Sequence, residues 1–278
     1  MLLAIDVGNT ETVVGLFSTQ AGDRPAPKAL RRVPPAPPEP VGLTHHWRLS
    51  TVDVRTADEH ALVLTELFGL DGLDIVDVVS GIAITSSVPR VTAALRQMAT
   101  AWFDVPCLVL EPGVRSGMPI LYDNPREVAA DRVANAVGAY DLYGGPCIVV
   151  DMGTATTFDA ISADGAYLGG AIAPGVAISM DALFDHAAAL RRVELVEPRQ
   201  VIGKSTVESI QSGALYGFAG QVDGVCRRFV GELGPSSVIA TGGLAEVVAP
   251  FSEYIEHLEP WLTLHGLRLV YERNLPGS

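Results

Sequence analysis

The residues best placed to do chemistry lie in two short stretches that read alike. In each, an apolar run ends on an acid: Leu2–Ile5 on Asp6, and Cys147–Val150 on Asp151. Behind the acid come glycine and small polar residues, Gly8, Asn9 and Thr10 in the first stretch, Gly153, Thr154, Thr156 and Thr157 in the second. A run of apolar residues bounded by glycine predicts a buried strand, so each acid falls at a strand end. Glycine lets backbone amides approach a ligand with no Cβ in the way, and threonine hydroxyls add donors. An acid able to hold a metal–phosphate thus stands beside a turn able to hold phosphate oxygens. One such unit alone reads as readily as an ordinary hairpin with Asp in its turn. Two, in phase with the halves of the chain, predict two similar domains facing each other.

The elements that must position these turns follow from patterning. Thr12–Phe17 reads as the return strand of the first hairpin, followed by an extended excursion rich in proline over Gln20–Val41. Thr44–Leu49 is the next predicted strand, with His45–His46 read as a solvated loop beside Trp47. A capping box at Thr56–Glu59 opens a helix to about Leu70. Val78–Ile84 is a strand, Thr85–Pro89 leads into a helix to about Phe103, and Cys107–Leu110 is a short strand. The first half therefore reads β-β-β-α-β-α-β. Asn124, Pro125 and Glu127 predict a helix start, continuing to about Tyr143 with Glu127, Asp131 and Asn135 on one face.

Strands follow over the second acidic stretch and over Ala166–Ile172, and Gly169–Gly175 leads into a helix to about Leu190. Ser205–Glu208 is a second capping box, opening a long helix to about Leu233. Gly213, Gly217, Gly220 and Gly224 form a stripe on it. Glycine costs stability inside a helix, so the stripe predicts close approach by another helix, within the chain or across a dimer. Val238–Thr241 is a strand ending on Gly242–Gly243 at a helix start, which suits a nucleotide resting on bare amides. Leu267–Tyr271 reads as an edge strand.

Composition bounds the class. The 278 residues are 48% hydrophobic and 18% charged, enough for a sizeable core and against extensive disorder. No apolar run approaches the roughly 20 residues of a membrane span. Asp6 interrupts the first apolar run and no basic segment precedes it, so no signal peptide is expected and a cytoplasmic setting is. A net charge of −13 and a pI near 4.8 disfavour nucleic acid, and a polyphosphate-handling phosphatase, as partner or activity. Cys107, Cys147 and Cys226 are isolated in apolar settings and read as core residues.

Several longer motifs, in order, carry a resemblance. They are Asp6–Thr10, Glu111–Gly117, Tyr122–Pro125, Ala129–Ala136, Asp151–Asp159, Gly169–Gly175 and Ile202–Ser209. Two halves with an acidic turn each and a late Gly-Gly turn resemble the superfamily of acetate and sugar kinases, heat-shock chaperone ATPases and actin. Within it the chain is similar to the type III pantothenate kinases over nearly its whole length, Gln20–Val41 excepted. The resemblance implies an α/β fold of two ribonuclease-H-like domains, 1–122 and 123–278, with an ATP cleft between them. It implies ATP-dependent phosphorylation of pantothenate to 4′-phosphopantothenate, the first step of coenzyme A synthesis, in a homodimer with substrate pockets at the interface.

Residue by residue, the resemblance assigns ATP phosphates to Asp6, Val7, Gly8, Asn9, Thr10, Glu11, Thr12, Val13 and Thr154, with Asp6 near Mg²⁺. Asp131 matches the catalytic base, and Arg132 an anchor for the substrate carboxylate. Tyr122, Ala129, Ala130 and Thr206 match substrate-contacting positions. Asp151 matches the ligand of a monovalent cation, K⁺ or NH₄⁺. No Walker-type Gly-x₄-Gly-Lys-Ser/Thr is present, so metal and aspartates replace its lysine. Two positions depart from the family's pattern: Ala129 stands where glycine is usual, which bears on substrate fit, and Ser116 replaces a usual Thr. Two other activities suit the same residues: a kinase of another small carboxylate-bearing alcohol, and an ATP-binding accessory protein without catalysis.

Overall fold

The computed structural model describes residues 1–18, 41–187 and 189–275. The excursion expected over Gln20–Val41 lies, apart from Val41 itself, outside the described residues. Two five-stranded sheets are built from opposite halves of the chain. The first holds β1 (Leu2–Val7), β2 (Glu11–Phe17), β3 (Leu43–Ser50), β4 (Gly81–Ser86) and β5 (Cys107–Val109) in the order β3-β2-β1-β4-β5. The second holds β6 (Cys147–Met152), β7 (Ala155–Ile161), β8 (Tyr167–Pro174), β9 (Ser237–Thr241) and β10 (His257–Leu258), in the order β8-β7-β6-β9-β10. The pairing matches strand for strand: an antiparallel three-stranded meander whose first strand is extended by two successive parallel strands. The fold is α/β, of two ribonuclease-H-like halves.

Helices form three layers around the sheets. Outside the first sheet lie α1 (Ala57–Leu70), α2 (Ile75–Val78) and α3 (Pro89–Met98), which continues as a wider turn to Phe103. Outside the second lie α5 (Val176–His186), α6 (Thr206–Leu233) and α7 (Ala245–Val248). Between the sheets run α4 (Ala130–Tyr143) and α8 (Leu262–Arg273). This central layer decides where the acids point. Strand side chains alternate faces, so Leu2 and Ala4 put Asp6 on the inward face, while Leu3, Ile5 and Val7 pack outward. Cys147 and Val149 do the same for Asp151, with Ile148 and Val150 outward. Both acids therefore face the central helices.

Several expectations are corrected. Leu267–Tyr271 is not an edge strand but part of α8, where Leu264, Leu267 and Val270 are buried at helical spacing. The helix expected from Asn124 breaks. Asn124 caps only a single 3₁₀ turn, Pro125–Glu127, after which Val128 and Ala129 are extended and buried Val128 joins the central core. Glu127 therefore leaves the α4 stripe and accepts from Asn124 Nδ2 at 2.8 Å, while Asp131 and Asn135 stay on the helix. Val78 ends α2, capped by the Asp74 side chain, rather than opening a strand. The fifth helix stops at His186, short of Leu190. His45 and His46 belong to β3, and His46 lies on Trp261 with ring centres 4.1 Å apart.

At Ser205 only half a capping box forms. Its hydroxyl accepts from the Glu208 amide, but the Glu208 carboxylate turns to Arg199 and the Lys204 amide. Nothing within the described residues approaches the faces of Gly213, Gly217 or Gly220, so no internal helix crossing explains that stripe. The tight crossing falls at α4–α8 instead, where a Cβ on Gly266 would come within 1.8 Å of the Ala134 carbonyl oxygen. Cys147 and Cys226 are buried and Cys107 is half-buried, all as free thiols. Among the described residues no helix is long and apolar enough to cross a membrane.

Candidate active site

Four carboxylates converge between the sheets. Asp6 stands near the end of β1 and Asp151 near the end of β6. Asp131 lies in the first turn of α4, and Asp159 faces the same helix from β7. The two hairpin turns meet above them, Thr10 Oγ1 and Thr154 Oγ1 being 3.2 Å apart. The helix start adds to the site's polarity. Ala129 caps α4 with no side-chain hydrogen bond, and backbone amides at a helix N-terminus favour an anion. Asp131 Oδ1 accepts from the Arg132 amide at 2.8 Å.

Each acid has a different set of partners. No group among the described residues donates a hydrogen bond to the Asp6 carboxylate. Asp151 Oδ2 accepts from Asn135 Nδ2 at 2.9 Å, and Asn135 Oδ1 accepts from Thr263 Oγ1 at 2.7 Å. That second bond fixes which way the amide faces. Asp159 is fully buried and forms an ion pair with buried Arg132, whose Nε and Nη2 each lie 2.8 Å from Asp159 Oδ1. Tyr167 donates to the same oxygen at 2.7 Å.

The electrostatics ask for a cation. Burial raises the Asp6 pKa well above the carboxylate range, and the neighbouring charges of Asp131 and Asp151 add to it, while Arg48 pulls the other way. Burial, with Asp131 next, lifts Asp151 to about 7 against the opposing Asn135 bond. Arg132 is already paired with Asp159, and Arg48 with Glu11 at 3.1 Å. Neither has its full charge to give. Among the described residues no three His, Cys, Asp or Glu side chains could close around a metal alone. A cation here would need oxygens from a ligand, and Mg²⁺ bound by one or two carboxylates plus nucleotide phosphates fits that donor set.

The remaining expected site residues are placed as follows. Gly8, Asn9, Thr10 and Glu11 form the first turn, closed by a 2.9 Å bond from the Gly8 amide to the Glu11 carbonyl. Val7, Thr12 and Val13 lie on the strands that enter and leave it. Thr154 is at the tip of the second turn. Tyr122 is near Tyr167, ring centres 6.3 Å apart, and lines an open hollow with Leu121, Asp123, Glu127 and Leu168. Ala129 is exposed, with φ −63° and ψ 147°, a conformation open to any residue. Its methyl therefore strains nothing in the chain. Ser116 keeps its role as a hydroxyl, bonding the Met118 amide and carbonyl. Thr206 stands apart: it is exposed at the start of α6, and no hydrogen bond among the described residues joins it to Asp131, Arg132 or Tyr122.

Sequence reasoning gave no role to four contributors: Asp159, Tyr167, Thr263 and, as a ligand to Asp151, Asn135. Alternation along β7 could have placed Asp159 inward, two residues before Ile161. Thr263 leaves no signal, because it lies more than 100 residues from Asp151 on a helix whose start has no side-chain cap.

Comparison with known proteins agrees with this architecture. A protein assigned as a 2-dehydro-3-deoxygalactonokinase from Sinorhizobium meliloti superposes with a TM-score of 0.60 over 100% of this chain and 98% of its own, at 12% identity. That likeness shows the fold. The type III pantothenate kinases of Streptomyces griseus and Saccharopolyspora erythraea are 52% and 54% identical to this chain, each aligned over 99% of both chains. The family model for type III pantothenate kinase matches residues 2–228, both hairpins and α4 included. The chain belongs to the type III pantothenate kinase family.

Proposed function

We infer that this chain is a pantothenate kinase, transferring the γ-phosphoryl group of ATP to the primary hydroxyl of pantothenate to give 4′-phosphopantothenate and ADP. The observation that carries the chemistry is the convergence of Asp6 and Asp151 with Asp131, which stands in the first turn of α4. Phosphoryl transfer demands positioning and neutralisation of phosphate charge more than covalent help. The amides and hydroxyls of Gly8–Thr12, with Val7 and Val13 flanking, and Thr154 opposite, are assigned to the ATP phosphates. Asp6 is assigned to Mg²⁺, which supplies charge neutralisation when bound. Asp151 is assigned to a monovalent cation, K⁺ or NH₄⁺.

Asp131 is the proposed base. It accepts the hydroxyl proton as that oxygen bonds to the γ-phosphorus and the bond to ADP breaks. Such a base is worth about 10²–10⁴ in rate. Asp131→Asn should therefore lose about that factor in kcat while ATP binding, measured by calorimetry, stays near wild type. Full turnover in that variant would remove Asp131 from the role. Arg132 is assigned to the substrate carboxylate, Tyr122 and the Ala129–Ala130 backbone to the substrate body.

Thr206 is proposed to act in a homodimer. Val201, Ile202 and Val207 near it are exposed apolar side chains, and the uncovered glycine stripe lies on the same helix. The division into domains 1–122 and 123–278 is supported by each sheet's arising wholly on one side of that boundary. Free thiols fit a cytoplasmic setting.

The deciding experiment is ADP release from Mg·ATP with and without pantothenate, in K⁺ and in Na⁺ buffers. Pantothenate-dependent turnover that requires K⁺ supports both the activity and the Asp151 assignment. Nucleotide binding without turnover in either salt would favour the accessory-protein alternative.

A further inference from the structure

Arg132 is held in an unusual way for a residue meant to meet a substrate. A guanidinium and a carboxylate commonly pair fork to fork, one donor on each oxygen. Here Nε and Nη2 both address one oxygen, Asp159 Oδ1, which also accepts from Tyr167 Oη. The other oxygen, Oδ2, takes only a long 3.4 Å bond from Thr157. Three donors on one oxygen fix the Nε–Nη2 edge of the guanidinium. The Tyr167 ring lies beside it, 5.9 Å from the guanidinium carbon. β8 passes close to the same edge: a Cβ on Gly170 would stand 2.7 Å from Nη2.

The opposite edge is left for something else. Arginine carries five N–H donors, and Nη1 has no acceptor among the described residues. Its side chain is nevertheless only 9% exposed, so this is not a solvated surface arginine. A planar donor pinned along one edge presents its remaining donors in one direction, at little further cost in rotamer freedom. The same Tyr167 also faces Tyr122, so one ring touches both the anchor and a residue lining the hollow.

We propose that Asp159 and Tyr167 are positioning residues for substrate recognition: they lock Arg132 by its Nε–Nη2 edge so that Nη1 meets the carboxylate of the acceptor alcohol, a role that rests on the assignment of Arg132 to that carboxylate. Neither residue touches the reacting atoms. Their effect is therefore on acceptor binding and on the choice of a carboxylate-bearing alcohol, with the nucleotide unaffected.

The test compares Tyr167→Phe, Asp159→Asn and Arg132→Ala in the full chain. Steady-state KM is measured for pantothenate and for ATP, and binding of pantothenate and its uncharged N-methyl amide by calorimetry. Tyr167→Phe removes one hydrogen bond and keeps the charges, so the pantothenate KM should rise roughly 3- to 10-fold with the ATP KM unchanged. Asp159→Asn separates two effects by sign. Removing a negative charge beside Arg132 would, by Coulomb attraction alone, tighten pantothenate binding. Loss of the lock weakens it, by about 10- to 100-fold.

Amide binding should change less than pantothenate binding in both variants. An unchanged pantothenate KM in Tyr167→Phe, tighter binding in Asp159→Asn, or equal loss for pantothenate and ATP overturns the proposal. If Asp159→Asn does not fold, Tyr167→Phe decides alone. Arg132→Ala distinguishes the two levels. A wild-type pantothenate KM there removes the anchor assignment itself. A raised KM there with none in the other two removes only the positioning role.

Discussion

The two acidic hairpins share a strand-for-strand layout, yet their acids are held differently. In the first, four residues, Gly8–Glu11, lie between the paired residues Val7 and Thr12, and no group among the described residues donates to Asp6. In the second, three residues, Gly153–Ala155, lie between Met152 and Thr156, and Asp151 is gripped by Asn135, itself fixed by Thr263. The longer turn carries more amides, and its acid keeps both oxygens for a ligand. The shorter turn has an acid with one oxygen committed to the protein. One motif, used twice, thus leaves one acid without a donor among the described residues and ties the other to the protein. That is the difference expected if the first holds Mg·ATP and the second a partly protein-built cation site, as proposed above. Orientation of a ligating group by its hydrogen-bonded neighbours is a common way to tune a cation site.

The sharpest way to break the comparison is Asp6→Asn. With no protein partner to substitute, it should lower kcat/KM for Mg·ATP by about 10²–10³ and shift the Mg²⁺ titration. A wild-type Mg²⁺ dependence would leave Asp6 no special place. Next in size is Gly242→Ala, which probes only the second hairpin's surroundings. Gly242 has φ +93°, and a Cβ there would stand 2.5 Å from Asp151 Oδ1 and 2.6 Å from the Met152 carbonyl carbon. Strain and crowding together should cost about 1–3 kcal/mol of stability, read by denaturant titration. An unchanged midpoint would mean the acid is free to move.

The pH dependence is expected to be smaller and has a definite sign. Asp151 titrates at about 7 in the folded chain, against about 3.9 for an unperturbed aspartate. Between those values the native state holds more protons than the unfolded one, so stability falls as pH rises. This destabilisation is absent below the lower value and complete above pH about 7. Ligand-free protein in Na⁺ buffer should therefore melt higher at pH 5.5 than at pH 8, so far as this group is concerned. Asp151→Asn should raise the pH 8 melting temperature by roughly 2–6 °C and flatten the profile. A variant with an unaltered pH profile would place the charge strain elsewhere. Thr263→Val is the mildest: loss of one hydrogen bond should raise the K⁺ half-activation concentration about 2- to 5-fold, leaving the Mg²⁺ titration alone. Equal effects on both cations would erase the distinction between the hairpins.

Much of this was legible from sequence because the signals are local. A buried strand, its terminal acid and the glycine-bearing turn behind it occupy about a dozen adjacent residues, and alternation alone turns Asp6 and Asp151 toward the same side of their strands. Two of the corrected elements show the limit of that locality. Leu267–Tyr271 has enough apolar residues for a strand; only the sheets on either side, which bury Leu264, Leu267 and Val270 together, make it a helix. The break at Val128–Ala129 is likewise a tertiary decision, since Val128 is drawn into the central core between Asn124's capped turn and α4.

What the sequence determined by itself was the pair of glycine-bearing hairpin turns, the acids at their mouths and, through the resemblance of its motifs, the family. What only tertiary structure decided was who restrains whom: Asn135 and Thr263 on Asp151, Asp159 and Tyr167 on Arg132. Those partners come from separate elements, from 8 residues apart for Tyr167 and Asp159 to 128 for Asn135 and Thr263. Spacing and periodicity act within one element, whereas a hydrogen bond between elements exists only once burial has brought their faces together.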